Sequence, residues 1–460
     1  MKRLGLLPRG IDPALAAERE THIRYLIVAM LFIASTTSYG NIASLSVGGA
    51  AIQKALGINA AKFGLLLSGF GWSYVCGQLP SGGLLDRFGS RRVYGISIVA
   101  WSMCAFLIGL AGYAPAAWAF SAIFALRLLS GLAQSPVFPG NARIVAAWFP
   151  TAERGRASAI FNSAQYFALG MFGPLFGWLT QRYGWQSCFW FIGIFGLLLA
   201  FVWTRTIYTV PEHPLISRQE VDCIESGGGL VYMDSGKTMR RNPLTWKTFR
   251  MLLGQRMLVG IYIGQFCINT LTIFFLTWFP SYLVQARHMS ILKAGLAAAL
   301  PALSGFVGGI LGGICSDWLL RRGHSLTFAR KAPIIAGMLL AVTMIGCNYT
   351  GKQAVVLALM SLAFFGKGFG ALGWTVIADT SPKELVGVNG GVFNLFGNLS
   401  TITTPMVIGF LVNKEGSFND ALIFVGATAL VAIFSYLVIV GEIKRLDLAP
   451  AAANLQGASA

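Results

Sequence analysis

The stretch Gly82-Gly83-Leu84-Leu85-Asp86-Arg87-Phe88-Gly89-Ser90-Arg91-Arg92 is a short basic turn between two long apolar runs. A fainter copy stands half a chain later, where Gly313-Ile314-Cys315-Ser316-Asp317 precedes Arg321 and Arg322. The aspartates of the two copies are 231 positions apart (317 − 86), and Pro150 and Pro382 repeat at nearly the same offset. Recurrence at a fixed half-chain offset is a mark of a duplicated fold. The two turns therefore predict a chain built from two similar halves.

The composition is typical of a protein that lies in a lipid bilayer. Of the 460 residues, 55% are hydrophobic and 11% charged, and the mean hydropathy is +0.66, whereas a soluble domain has about 25% charged residues. The net charge of +18 does not indicate nucleic acid, because the basic residues are not interleaved with aromatics along one face. The seven cysteines contain no CxxC pair, so we expect no metal site, no disulfide framework and no cofactor.

Apolar runs of about twenty residues are long enough to cross a bilayer as helices. Twelve such runs predict the fold class, an all-α membrane protein with two six-helix halves. In order, the predicted spans are 24–48, 62–84, 93–112, 116–139, 157–180, 186–206, 256–284, 292–315, 332–350, 354–379, 386–412 and 421–441. The chain accordingly divides into a first half (1–206), a polar linker (207–255) and a second half with a short tail (256–460).

Positive charge is distributed unevenly between the two sides of the membrane. Loops on the side of the N-terminus carry 26 lysines and arginines, and loops on the other side carry 7. Such an excess marks the cytoplasmic side, so both termini and the linker are predicted to be cytoplasmic. Within the linker, Ser217 and Glu220 form a capping-box pattern that predicts a short helix ended by Gly227 to Gly229. We expect the linker to tether the two halves.

Polar side chains inside several spans predict a central cavity. Such groups are costly in lipid, so a polar stripe on a helix normally points into a cavity or the bundle core. The stripes are richest on spans 1, 4, 7 and 10, which a three-plus-three repeat brings round one cavity. Spans 5 and 11 add amides. The polar residues of these six spans include Tyr39, Asn41, Arg127, Gln134, Gln165, Lys367, Trp374 and Asn394. Amides and aromatic rings suit a polyhydroxylated solute, and two cations suggest that it is anionic. Alternatively, each amide merely bonds a neighbouring helix.

Carboxylates are missing from the middle of the spans, and all four histidines lie in loops. A proton-driven carrier usually keeps a carboxylate there to load and release its proton. The spans also hold no pair of nucleophile and base and no metal cluster, so we do not expect a membrane enzyme.

The turn at residues 82–92 is similar to the signature loop of the major facilitator superfamily, whose GxxxDRxGxRR pattern it keeps intact. From about Arg24 to Asp447 the chain resembles the anion:cation symporter family, and within it the bacterial glucarate/galactarate (aldarate) permeases. The strings that carry this resemblance are 143–150 (RIVAAWFP), 162–167 (NSAQYF), 277–295 and 364–374. The resemblance implies twelve helices, alternating access and proton-coupled uptake of a sugar-acid anion across the bacterial inner membrane. We expect the chain to be monomeric.

The resemblance also implies roles for single residues. Gln165, Trp374 and Asn394 match positions that contact the sugar acid, with Tyr39 near them. In the family the signature loop is thought to lock the outward-open state, through an interaction of Asp86 with the positive N-terminus of the helix after Pro382. The implied gating residues are Asp86, Arg87, Arg91, Arg92 and Asp317. The alternative is that this loop only marks the cytoplasmic side.

The chain departs from the family pattern at three positions. The family has an acid and then an arginine where Asn41 and Ile42 stand, and a glutamate where Gln134 stands. Arg127 is kept without the acids expected to couple with it, and the arginine that usually holds the substrate carboxylate is missing. Lys367 could replace that arginine as the partner of the anion, which is a hypothesis.

The membrane potential makes these departures important. Each negative charge that enters against an inside-negative potential costs about 2.3 kcal/mol per 100 mV, so a dianion faces about 4.6 kcal/mol. Accumulation therefore needs a driving ion or an exchange. Besides proton symport, the sequence leaves open anion exchange, downhill efflux and uptake of a less charged solute. The alternative to a transporter is a membrane receptor that senses a sugar acid without transporting it.

Overall fold

The computed structural model describes residues 21–233, 246–382 and 385–446, which are helical and contain no β-strand. Twelve membrane spans follow one another, as predicted. Spans 1 to 6 are Ile23–Val47, Ala60–Phe88, Ser90–Ala111, Ala116–Gln134 with Val137–Trp148, Arg154–Tyr183 and Gln186–Thr206. Spans 7 to 12 are Arg256–Thr277 with Phe279–Gln285, Ile291–Arg321, Leu326–Val342 with Thr343–Tyr349, Gln353–Phe369 with Gly373–Thr380, Val386–Glu415, and Asn419–Phe434 with Ser435–Ile439.

Ten of these spans are long and apolar enough to cross a membrane by composition alone, within the described residues. The other two are span 2 and span 5. Both pack extensively against a span of the opposite half, span 2 against span 11 and span 5 against span 8. A helix covered by protein in this way needs less apolar surface than a helix that faces lipid. The twelve-helix prediction is confirmed.

The same pairs of helices pack in both halves. In the first half, span 1 packs on span 5, span 2 on span 4, and span 3 on spans 4 and 6. In the second half, span 7 packs on span 11, span 8 on span 10, and span 9 on spans 10 and 12. Each pair of the second half is the pair of the first half shifted by six spans. The packing therefore repeats the duplication that the two turns predict.

The two halves meet most closely at the end of the bundle opposite the turns. A Cβ atom on Gly295 of span 8 would collide with the carbonyl oxygen of Gly173 of span 5. Ser46 Oγ, near the end of span 1, donates a hydrogen bond of 2.6 Å to the carbonyl of Thr277 in span 7. At the end that carries both turns, called the turn side below, added Cβ atoms at Gly83 and Gly391 would meet open space. The halves are thus closely joined at the end opposite the turns.

The first part of the linker lies against the first half. Ser217 caps the helix Arg218–Ser226 by accepting from the amide of Glu220 at 3.2 Å, and Gly227 follows its end, so the predicted helix is confirmed. The Glu220 carboxylate is 1% exposed and accepts from the amides of Ile23 and Arg24 at 3.0 Å each. These amides belong to the first turn of span 1, where the backbone N–H groups of a helix have no acceptor within the helix.

Several of the cations counted above lie outside the described residues: Lys2, Arg3, Arg9, Arg19, Lys237, Arg240, Arg241 and Lys383.

Candidate functional site

A cavity lies between the two halves and is lined by polar side chains from both. Tyr39, Gln134 and Gln165 of the first half line it, and so do Asn398 and Thr401 of span 11. Span 7, one of the spans predicted to carry a polar stripe, adds Asn269 and Thr272. Rings of Phe70, Tyr74 and Phe138 form much of the apolar wall. Amide and hydroxyl groups from five spans therefore converge on one space.

Trp374 and Asn394 lie on the turn side of this cavity. Trp374 is 53% exposed, and its ring meets the edge of Phe393 at a centroid distance of 5.0 Å. The carbonyl of Asn394 accepts from Nδ2 of the cavity-lining Asn398 at 2.9 Å, one helical turn away. Asn394 is thus one helical turn from a lining residue, and Trp374 contacts the neighbouring Phe393. The structure brings them close to the cavity without including them in its lining.

Arg127 is a buried cation behind the cavity wall. It is 1% exposed, its guanidinium lies 5.2 Å from the ring centroid of Phe70, and its Nη1 is 3.5 Å from Oδ1 of Asn41. Its Nε has no hydrogen-bond partner, and no carboxylate pairs with the guanidinium among the described residues. A buried charge without a counter-charge is strongly destabilising. The site is therefore suited to an anion.

Gln134 has its own hydrogen bonds beside Arg127. Its Oε1 accepts from Ser38 Oγ at 2.5 Å, and its Nε2 donates to Ser130 Oγ at 3.3 Å. Asn41 is fully buried, and its Nδ2 lies 3.5 Å from the carbonyl of Trp101. Both amides thus bond neighbouring helices, although Gln134 also lines the cavity. Neither carries a charge that could balance Arg127.

Lys367 lies apart from the cavity lining. It is 4% exposed, and its Nζ is 3.3 Å from the hydroxyl of Tyr166 on span 5. The same Nζ lies 5.2 Å and 5.5 Å from the ring centroids of Tyr166 and Phe364. A direct contact of Lys367 with a bound anion stays a prediction.

The charged residues of the first turn bind within the first half. Asp86 pairs with Arg143 at the turn-side end of span 4, and Arg143 Nη2 also donates to the carbonyl of Met233 in the linker at 3.1 Å. Arg91 donates to the carbonyl of Thr204 at 2.7 Å. Arg87 lies over the ring of Phe88 and Arg92 is exposed. The lock between Asp86 and span 11 stays a prediction.

The second turn has a different arrangement. Asp317 lies 3.6 Å from Arg330 of span 9, and the Nε of Arg330 donates to Asp379 of span 10 at 2.8 Å. Sequence reasoning missed Arg143 and Arg330 as partners of the two aspartates. A usable signal was present, since both arginines lie within the turn-side ends of spans that the repeat places beside the turns.

Comparison with known proteins identifies the family. Residues 31–405 match the Major Facilitator Superfamily. The chain is 56% identical to a protein of Bacillus subtilis (strain 168) named probable galactarate/D-glucarate transporter GudP, over 94% of this chain and 95% of that one. It is 53% identical to the protein of the same name from Escherichia coli (strain K12), over 95% and 98% of the two chains.

Among solved structures, a bacterial homologue of the human lysosomal transporter Spinster, in an inward-facing and occupied conformation, shares the fold. It superposes with a TM-score of 0.67 at 15% identity, and the match covers 92% of this chain and 97% of that one. The repeated helix pairs, the two turns and the family match agree. The chain is a multi-pass membrane transporter, and it belongs to the Major Facilitator Superfamily.

Proposed function

We propose that this chain carries a six-carbon sugar dicarboxylate of the galactarate and D-glucarate class across the bacterial inner membrane by alternating access. The observation that carries the proposal is the cavity between the halves, lined by amides and hydroxyls from five spans. The names of the two relatives that are more than half identical support the same substrate class.

The cavity chemistry fits such a solute. Amide groups of Gln134, Gln165 and Asn398 offer both donors and acceptors to the hydroxyls of a sugar acid. The rings of Tyr39 and Trp374 can cover its apolar carbon face. Arg127, close behind Phe70, supplies positive potential that no carboxylate of the described residues cancels. A dianion is the solute that gains most from this field.

The sidedness of the charges supports an orientation. With 26 of the loop cations on the side of the N-terminus and 7 on the other, the turn side faces the cytoplasm. Both termini are then cytoplasmic. In that orientation the halves are joined on the outer side.

Anion exchange is a second candidate, favoured by one observation. Asn41 and Gln134 are neutral, buried and hydrogen-bonded to neighbouring helices, where the family pattern has acids. Exchange of one dianion for another needs no proton and moves no net charge, so a carrier without those acids can perform it.

Labelled glucarate uptake into proteoliposomes tests both candidates. The three arms are an imposed pH gradient at zero voltage, a voltage alone, and unlabelled glucarate preloaded inside. We expect saturable flux in the preloaded arm, and Gln165→Ala should weaken it by about tenfold through loss of a hydrogen bond to the solute. Ser163→Ala, which removes a hydroxyl bonded only to its own helix, is the matched control. Absence of saturable flux in every arm would refute the proposal.

A further inference from the structure

We infer that Arg127 binds one carboxylate of the solute directly, and that the ring of Phe70 is a lid between this guanidinium and the cavity. The inference rests on the proposed function and deepens it, because it names the residues that make the carrier prefer an anion to a neutral sugar. It starts from a buried cation that the fold does not neutralise and that lies behind the cavity wall.

Arg127 leaves part of its hydrogen-bonding capacity unused. Its Nε is buried without a partner, and its Nη1 donates to Oδ1 of Asn41 at 3.5 Å, which is the long limit for such a bond. No carboxylate forms an ion pair with it among the residues that the structure describes. A carboxylate accepts two parallel hydrogen bonds from the fork of a guanidinium. The free Nε therefore leaves room for an anion that the protein itself does not supply.

Both helices that surround this guanidinium border on the cavity. Arg127 and the cavity-lining Gln134 lie seven residues apart on the helix Ala116–Gln134, so they share one face of it. Asn41, the hydrogen-bond partner of Arg127, is followed on span 1 by Ile42, which also lines the cavity. The lining contains no cation within the described part of the chain. A carboxylate in the cavity must therefore find its cation behind the wall.

Phe70 of span 2 covers the guanidinium on the cavity side. Its ring lines the cavity, and the ring centroid lies 5.2 Å from the guanidinium carbon of Arg127. The same ring stacks on Tyr74, with centroids 5.2 Å apart and planes at 19°. The backbone at Phe70 packs closely on span 4, because a Cβ atom on Gly131 would collide with the Phe70 carbonyl oxygen. The lid therefore opens by a change of side-chain rotamer and not by a shift of span 2.

The contact between Phe70 and Arg127 is one that an anion can replace. The face of an aromatic ring attracts a cation more weakly than a carboxylate that accepts two charge-assisted hydrogen bonds. A neutral polyol can bond the amides of the cavity but offers nothing that would displace the ring from the guanidinium. Phe70 thus gives access to Arg127 only to a solute with a negative charge.

Binding of D-glucarate and D-glucitol to the purified protein in detergent tests this inference. D-Glucitol is the same six-carbon chain with both carboxylates replaced by CH₂OH groups. Arg127→Met should lower the affinity for glucarate by at least about tenfold and leave that for glucitol unchanged. This variant should melt no earlier than the wild type, because it replaces a buried, unpaired charge by an apolar side chain. Arg182→Met, which removes an exposed cation at the end of span 5, is the control and should bind both solutes like the wild type.

Two further variants test the partner and the lid. Asn41→Asp keeps the shape of the side chain and places a carboxylate beside Nη1 of Arg127, so it should compete with the solute and lower glucarate affinity by at least about tenfold. Phe70→Leu removes the ring, so glucarate should associate faster by about threefold or more. Phe120→Leu, which removes a ring that packs on Phe124 of the same helix, is the control for the rate.

The outcomes separate the inference from the proposed function. Absence of glucarate binding in the wild type would overturn both the proposed substrate and the role of Arg127. Binding in the wild type that survives in Arg127→Met would overturn this inference alone and leave the proposed substrate standing. Wild-type affinity in Arg127→Lys, which keeps the charge without the fork, would show that the residue acts only through its field and would contradict a direct contact. Unchanged or slower association in Phe70→Leu would contradict the lid.

Discussion

The two copies of the basic turn hold their aspartates in different ways. In the first half, Asp86 pairs with Arg143 of span 4, and this arginine also binds the carbonyl of Met233 in the linker. In the second half, Arg330 of span 9 binds Asp317, Asp379 and the hydroxyl of Ser316, all from its own half. The duplication has kept the acid at the end of the helix and replaced its cation. The arginine that binds Asp86 also binds the linker, whereas the arginine that binds Asp317 has its partners within the second half.

The largest effect that this difference predicts is for Arg330→Met. The change leaves Asp379 and Asp317 side by side without their cation, and spans 8, 9 and 10 lose a shared contact. We expect a loss of about 2 kcal/mol in unfolding free energy, less than for a fully buried pair because Asp317 is 65% exposed. Thermal unfolding in detergent measures it. Arg322→Met, at an exposed position over Trp318, is the control and should change little.

A smaller effect is expected for the corresponding change in the first half. Arg143→Met removes one partner of Asp86, whose carboxylate is one-third exposed and can be hydrated. We expect a loss of about 1 kcal/mol in unfolding free energy, measured in the same assay. A loss equal to or larger than that of Arg330→Met would contradict the contrast between the two turns.

The smallest effect concerns pH and the linker. His213 lies between the rings of Trp148 and Tyr208, its Nδ1 accepts from the amide of Leu215 at 3.3 Å, and burial lowers its pKa below the ordinary value. The folded state therefore favours the neutral imidazole of His213. Its contribution to the stability of the fold is fully present above about pH 6.5. That contribution is lost as the pH falls, because the unfolded chain then binds a proton more readily than the folded chain does.

Limited proteolysis of the linker measures this effect. Cleavage within 207–233 should become faster by a few-fold between pH 7.5 and 5.5 in the wild type, and His213→Phe should remove that dependence. The segment 441–446 is the control. Its backbone amides are hydrogen-bonded to Thr327 and Thr380 of the second half. It contains no histidine, so its rate of cleavage should not change with pH in this way. Equal acceleration at both segments would contradict the role of His213.

Much of the fold could be predicted because hydropathy, glycine spacing and the repeat are local properties of the sequence. The twelve spans, the linker helix and the duplication are of this kind. The partners of the two aspartates could not be predicted, because an ion pair between two helices depends on how each helix is rotated and how deep it lies. A repeat fixes which helices are neighbours and leaves open which side chains meet.

Span 10 shows why the site was harder to predict. Lys367 and Trp374 are seven residues apart and would share a face of one continuous helix. The helix is interrupted between Phe369 and Gly373, so Lys367 is buried against Tyr166 and Trp374 is exposed. By contrast, Tyr39 and Gln165 lie within continuous helices and do line the cavity.

Glu220 has a consequence for how the protein is made. The acceptor for the first amides of span 1 is a side chain that lies beyond span 6. During synthesis on the ribosome, the opening turn of the first membrane helix waits for its cap until nearly two hundred more residues have been added. The first half is complete as a folding unit only once the chain has passed the linker helix. Two-piece expression of the halves should therefore divide the chain after residue 233, and a cut at 206 would leave span 1 uncapped.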